Sequence, residues 1–209
     1  MIYPKFIPRL VSPLVKPLTL SIKDKDKVVY LTFDDGPHPE ITPWVCEVIA
    51  QFDAKATFFF TGQNAANYGD VVKQTALVHS VGNHTFDHPN GWNTPTSAYV
   101  ENVFIAGQYL PDNCNLFRPP YGKITPSQIR KLRHHYHVIL WNRLSADFDA
   151  RCSAQDCVRF ATKSPRGGNI IVFHDSEKAW PRLRSALPRT LEFYSKLGYR
   201  FASIRAELL

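Results

Sequence analysis

Four cysteines are all that the 209-residue sequence holds (Cys46, Cys114, Cys152, Cys157), and none forms a CxxC pair or a zinc-ribbon spacing. That absence excludes a cysteine-ligated zinc module. Cys152 and Cys157 are near enough in sequence to be bridged, but free thiols are the expectation. Also missing is any block of Lys and Arg interleaved with aromatics. The net charge of +7 is scattered along the chain, which predicts a well-solvated basic surface and no nucleic-acid face, although it also suits an anionic polymer. No apolar run approaches membrane-spanning length. Pro4, Pro8, Pro13 and Pro17, with Lys5, Arg9 and Lys16, break up the only stretch that resembles a targeting segment, and no small-residue cleavage site follows. Export is therefore not expected, which leaves the cytoplasm as the default compartment. Internal repeats and low-complexity segments are absent as well.

What is present is ordinary globular material, with 44% apolar and 21% charged residues. One domain is expected from Val28 to Leu209, preceded by a proline-punctuated arm over residues 1–27. Buried strands are predicted at Val28–Leu31, Ala56–Phe60, near Gly82-Asn83, Leu116-Phe117, His137–Trp141, Asn169–Phe173 and Tyr199–Ser203. Helices are predicted at Ile41–Phe52, about Val71–Val78, Thr94–Leu110, Thr125 to about His134, Ser153–Lys163 and about Pro181–Leu197. Thr42, Thr94, Thr125 and Ser153 stand as their opening residues. About seven βα units beginning at Val28 fit an α/β fold, a distorted, incomplete (β/α)7 barrel, better than an open doubly wound sheet. In either architecture chemistry belongs at the C-terminal ends of the strands.

Every unusual polar cluster falls just after a predicted strand. Asp34-Asp35 precedes Gly36-Pro37; two adjacent carboxylates persist near a core only when a cation or an arginine compensates them. His84 and His88 are four residues apart, a spacing that brings two imidazoles together on a helical turn. Taken alone the pair reads as the start of a surface helix; a spare aspartate on a neighbouring strand end reverses that in favour of a His₂Asp metal set. Arg118-Pro119-Pro120-Tyr121-Gly122 fixes one arginine on a rigid course and aims a backbone N–H, that of Tyr121 for example. Asp147-Phe148 and Val172-Phe173-His174-Asp175 complete the series, the latter placing a titratable imidazole at a strand tip.

In this order, TFDDGP, His84-x-x-x-His88, RPPYG, Asp147-Phe148 and the strand ending in His174-Asp175 resemble the motif set of the polysaccharide deacetylases, the NodB-homology domain of carbohydrate esterase family four. The resemblance runs from about Val28 to Ser203 and implies the same distorted TIM-like barrel. It further implies that Asp35, His84 and His88 bind a divalent metal, usually zinc, with cobalt, nickel or manganese as alternatives. Asp34 would be the general base, Arg118 its partner, the Tyr121 N–H an oxyanion donor, His174 the acid and Asp147 its holder. The implied substrate is an N-acetylglucosamine-containing glycan, peptidoglycan or chitin-like, acted on by a monomer; the family often works at the cell envelope. Tyr121, Phe148 and Val172 would face that substrate. Phe148 stands where the family commonly has tryptophan, Leu144 where it often has aspartate, and Val172 in place of a usual leucine beside the acetyl methyl. Trp92 is either a sugar-stacking aromatic or ordinary packing. Two competing expectations are an amide hydrolase acting on a small non-sugar substrate and a silent glycan-binding module; the latter would lack a base, an acid or a metal ligand, and none is missing.

Overall fold

The computed structural model describes residues 5–6, 17–23 and 26–209. Most of the arm expected over residues 1–27 lies outside them. Eight strands and seven α-helices make up the described fold. They run in the order β1 (Val28–Asp34), α1 (Ile41–Ala50), β2 (Ala56–Phe60), α2 (Gly62–Asn67), α3 (Gly69–Ala76) and β3 (Ser80–Asn83). Then come α4 (Thr96–Gly107), β4 (Leu116–Phe117), α5 (Pro126–Leu132), β5 (His137–Val138), β6 (Arg143–Leu144), α6 (Ala154–Thr162), β7 (Ile170–His174), α7 (Trp180–Lys196) and β8 (Arg200–Phe201).

All the pairings between these strands are parallel, in the order β5-β4-β3-β2-β1-β7-β6, with β8 joined to β1. β8 meets the first two residues of β1 (Val28↔Arg200, Val29↔Phe201), below the point where β2 joins at Leu31↔Ala56. The two outer strands, β5 and β6, are consecutive in sequence, and the four residues between them span at most about 14 Å. The sheet therefore curls round until its edges nearly meet. Thr19 and Ser21 lie along the seam, bridging to Ile139 and to Asn169. The result is a distorted, incomplete (β/α)7 barrel.

Alternation along the strands sorts the side chains into two cores. Val29, Leu31 and Phe33 of β1 face outward with Phe58, Phe60, Ile171 and Phe173, and pack on Val45 and Ile49 of α1 and Leu183 and Leu187 of α7. Phe33 stacks on Phe58 at 5.0 Å and on Phe173 at 6.2 Å, and each such fully buried ring contributes about 1.5–3 kcal/mol. Tyr30, Phe59, Leu116, Ile139, Trp141, Leu144 and Val172 point inward and fill the barrel. Continuing that parity upward, Tyr30–Thr32–Asp34 and Ile170–Val172–His174 carry polar groups to the top of the interior face.

Several expectations are corrected. Thr42 does not cap α1: the helix starts at Ile41, and His38 Nδ1 accepts the N–H groups of Glu40 and Ile41 in its place. The Thr94 hydroxyl turns back to the Asn90 carbonyl (2.8 Å), and α4 begins two residues later at Thr96. The polar run Gly62–Asn67 forms a helix, α2, that its composition does not announce, and α3 begins at Gly69 and ends at Ala76. β5 stops at Val138 and does not reach Trp141, and β6 follows where no strand was expected. Arg143, which makes β6 look unlike a strand, is buried with its guanidinium on the carbonyls of Asn142 and Ser164. The caps at Thr125 and Ser153 are full capping boxes, with Gln128 and Asp156 as partners. All four cysteines are free. Among the described residues no helix is long and apolar enough to cross a membrane.

Candidate functional site

Asp34 is the last residue of β1 and, by the parity of the strand, points into the barrel, where it is 3% exposed. Its Oδ1 accepts a hydrogen bond from Arg118 Nη1 at 2.7 Å. Arg118 follows β4 directly and is wholly buried. Each of its three nitrogens has an acceptor: Nε donates to the Ile139 carbonyl (3.2 Å), Nη2 to the Leu140 carbonyl (3.0 Å) and Nη1 also to Thr32 Oγ1 (2.7 Å). Its guanidinium lies 4.2 Å from the Phe59 ring centroid. Burial pulls its pKa down, and the charge of Asp34 opposes that pull. The pair compensates itself in the way buried charges require.

Strict alternation would send Asp35 outward. Its backbone takes the left-handed conformation instead (φ 79°), which swings the carboxylate to the same rim as Asp34. Asn64 Nδ2 of α2 holds the Asp35 carbonyl at 2.8 Å. His84 is the first residue after β3, and its Nδ1 donates to the Arg118 carbonyl at 2.7 Å. A carbonyl only accepts, so the proton sits on Nδ1 and the Nε2 lone pair is free. That Nε2 lies 3.6 Å from Asp35 Oδ1, and His88 Nε2 lies 3.3 Å from the same oxygen.

No helix brings the two imidazoles together, contrary to the expectation from their spacing. The 84–88 segment is irregular, and left-handed turns at Thr85 (φ 66°) and His88 (φ 62°) fold it back on itself. Side chains stitch it in place: Asn83 Oδ1 accepts the Thr85 N–H (2.8 Å), Thr85 Oγ1 the His88 N–H (3.1 Å) and Asn102 Oδ1 the Phe86 N–H (2.7 Å).

One ligand atom each from Asp35, His84 and His88 falls within 4.8 Å of the others, a set able to hold a metal ion. One carboxylate and two imidazoles, with one ring's far nitrogen already bonded, suit zinc and other first-row divalent ions. Burial lowers the His84 pKa to about 4, which keeps the ring neutral as ligation demands. Burial alone would raise the Asp35 carboxyl. The hydrogen bond from His88 and the charges of His174, His84 and His88 outweigh it and hold the carboxyl below the usual range.

His174 ends β7, and its Nδ1 meets Asp147 Oδ1 at 2.7 Å. The second oxygen of Asp147 accepts the His174 backbone N–H at 2.9 Å, so one buried carboxylate fixes both the ring and its backbone. Burial would lower the His174 pKa; the charge and hydrogen bond of Asp147, with added pull from Asp35 and Asp34, raise it to about 9. The Phe148 ring lies edge-on to His174 at 4.9 Å.

Tyr121 adopts φ 59° within a short 3₁₀ turn, and its N–H donates to no acceptor among the described residues. Its ring is 51% exposed and stands 4.7 Å from that of His88. Val172 lies one inward step below His174, level with Leu144 in register, and is completely buried. Trp92 is 63% exposed and packs no core.

Three supporting residues were given no role by the sequence, two of them inside the quoted motifs. Thr32, two residues before Asp34 and on the same face, donates to the Ile171 carbonyl while accepting from Arg118; strand parity could have found it. Asp175 accepts the Gly36 N–H (3.1 Å) and the Thr42 hydroxyl, and its own N–H donates to the Asp34 carbonyl (3.1 Å). A Cβ on Gly36 would stand 2.2 Å from the Asp175 carboxylate, so only glycine allows this approach. Asn64 holds the Asp35 carbonyl, and nothing in the sequence around it pointed there.

A polysaccharide deacetylase family model matches residues 21–138. A peptidoglycan-N-acetylglucosamine deacetylase of Bacillus cereus is 31% identical over 199 residues, 92% of each chain. A chitooligosaccharide deacetylase of Azorhizobium caulinodans is 33% identical over 162 residues, covering 74% of this chain and 76% of its own. Among solved structures, the peptidoglycan N-acetylglucosamine deacetylase Bc1960 superposes with a TM-score of 0.85 at 26% identity, covering 95% of both chains. A pseudoenzyme of carbohydrate esterase family four from Bacillus anthracis also shares the fold, with a TM-score of 0.79 at 20% identity over 95% of this chain and 70% of that one. The fold is thus common to proteins named as enzymes and as a pseudoenzyme.

Proposed function

The chain belongs to the polysaccharide deacetylase family, and from that premise we propose that it hydrolyses the N-acetyl groups of an N-acetylglucosamine-containing glycan. Asp35, His84 and His88 would hold a divalent cation, zinc first among the candidates. When bound there, the cation supplies Lewis acidity toward the acetyl carbonyl and brings the pKa of water toward about 7. Asp34, kept ionised and oriented by Arg118, takes a proton as the water oxygen bonds to the carbonyl carbon. The Tyr121 N–H donates to the oxygen on which negative charge gathers. His174, held by Asp147, gives its proton to the nitrogen as the carbon–nitrogen bond breaks, because an amide anion does not leave unaided. Acetate and a free amine result.

The observation that carries this assignment is the meeting at one barrel rim of an arginine-held carboxylate, a carboxylate-held imidazole and a three-donor metal set. A silent binding module would have lost one of the three. Half-exposed Asp35 and His88 beside exposed Tyr121 make a rim open to a chain-like substrate. Phe148 covers one flank of that rim, and Val172 forms its buried floor. The test is acetate release from a panel of N-acetylglucosamine polymers by zinc-reconstituted protein, with Asp34→Asn as control. Release by the wild type that falls by about 10²-fold or more in the variant supports the assignment; equal rates in the two remove Asp34 as the base, and a flat response across all glycans refutes the substrate class.

A further inference from the structure

Resting on that reading, we propose that Lys123, set between Trp92 and Tyr121, forms an anion-reading subsite that favours glycans bearing a carboxylate on the sugar next to the one being deacetylated. Three observations lead there. Lys123 Nζ lies 5.1 Å from the Trp92 ring centroid and 6.0 Å from that of Tyr121. Tyr121 in turn touches His88, so a continuous row, His88–Tyr121–Lys123–Trp92, runs outward from the metal-donor set. No carboxylate among the described residues pairs with Lys123.

Trp92 is exposed but firmly placed. Gln128 Nε2 of α5 donates to the carbonyls of Gly91 (2.8 Å) and Thr94 (3.2 Å), and the Trp92 backbone N–H donates to Asn90 Oδ1 (3.1 Å). A Cβ on Gly91 would come within 2.3 Å of the Lys123 carbonyl, so the glycine lets the Trp92 turn close onto the Lys123 backbone. An indole held out in solvent by its own turn offers a face for a sugar ring at little further entropic cost.

The ammonium beside that indole has donors to spare. Aromatic faces attract a cation but take none of its three hydrogen bonds, leaving them for an acceptor on the ligand. A neutral N-acetylglucosamine oligomer needs only the stacking surface; a cation centred between two rings adds affinity where the neighbouring sugar carries an acid. A net charge of +7 favours the approach of the same class of polymer.

Acetate release measured with two oligomers of equal length tests this, one neutral and one alternating N-acetylglucosamine with a carboxylate-bearing amino sugar. A third, with that carboxylate amidated, is the control. Lys123→Gln should raise KM for the acidic oligomer about fivefold, the upper end for a half-exposed ion pair, and leave kcat and the other two oligomers unchanged. Lys123→Arg should restore the preference, and 0.5 M salt should erase it in the wild type. Trp92→Ala should raise KM for all three. Equal effects of Lys123→Gln on acidic and neutral oligomers, or no effect of Trp92→Ala, overturn the subsite. Calorimetric titration of the Asp34→Asn chain with the same oligomers separates this inference from the one it rests on. If no glycan releases acetate, the deacetylase reading falls. The subsite still stands if binding favours the acid and Lys123→Gln, made in the Asp34→Asn chain, abolishes that preference; it falls if the two oligomers bind alike.

Discussion

Asp34 and His174 are partners on the last rung of the β1–β7 ladder, and strand parity turns both into the barrel. Their side chains are drawn in opposite directions round the rim. Arg118, beyond β4, holds Asp34, and Asp147, beyond β6, holds His174. The proposed proton acceptor and proton donor thus begin as neighbours in the sheet and are set apart by their separate anchors, with Asp35 in the next position along the chain.

The tie between His174 and Asp147 predicts a pH profile. With its pKa raised to about 9, the imidazole is protonated and able to donate below that value, and loses that ability as pH rises through it. Asp147→Asn removes the negative charge and should move the alkaline limb of kcat/KM to lower pH by at least about one pH unit. The same tie stabilises the fold: its contribution is full below about 6.5 and is lost as pH climbs through about 9. Thermal unfolding followed across that window should lose this dependence in Asp147→Asn. A limb that stays in place would remove Asp147 from its assigned role.

Arg118→Met leaves Asp34 buried without its cation. Loss of one member of a buried pair costs about 3–5 kcal/mol, and the double variant Asp34→Asn/Arg118→Met should regain much of that stability. Urea denaturation of the two single variants and the double completes the cycle. Additive losses would mean that the 2.7 Å contact does not couple the two residues.

Much of this site could be read from the chain. The alternation through Thr32–Phe33–Asp34 and Ile170–Val172–His174 gives strand, face and rim together, because a period of two leaves a side chain only two directions. Ser153 and Thr125 announced their helices through a local side-chain bond that needs no tertiary context. The candidate metal-donor set was legible in its members and not in its geometry. Its convergence depends on left-handed backbone at Asp35, Thr85 and His88, conformations rare outside glycine and held by Asn64, Asn83 and Asn102 from other elements. Thr42 misled for a related reason: its hydroxyl has a better use on Asp175, 133 residues away in sequence. β6 went unseen because the charged Arg143 is half of it, whereas the wholly apolar Leu116-Phe117 of β4, equally short, was predicted.

Asp175 supplies a prediction about stability. Burial pushes its carboxyl up to about 8 against the opposing hydrogen bonds from Thr42 and Gly36. In the unfolded chain the same group ionises near 3.8, so the folded state binds the extra proton and stability falls as pH rises from about 4 to about 8. Asp175→Asn keeps an acceptor for the Gly36 N–H and should flatten that slope. Unfolding free energies measured by denaturant at several pH values check it; an unchanged slope would assign the dependence to another group.

Zinc titration of chelator-stripped protein tests the donor set most directly. One zinc per chain is the expected stoichiometry, lost or weakened by about 100-fold or more in Asp35→Ala and His84→Ala, and retained in Asp34→Asn and His174→Ala. Wild-type affinity in Asp35→Ala, or no binding by the native chain, would contradict a metal centre built from Asp35, His84 and His88.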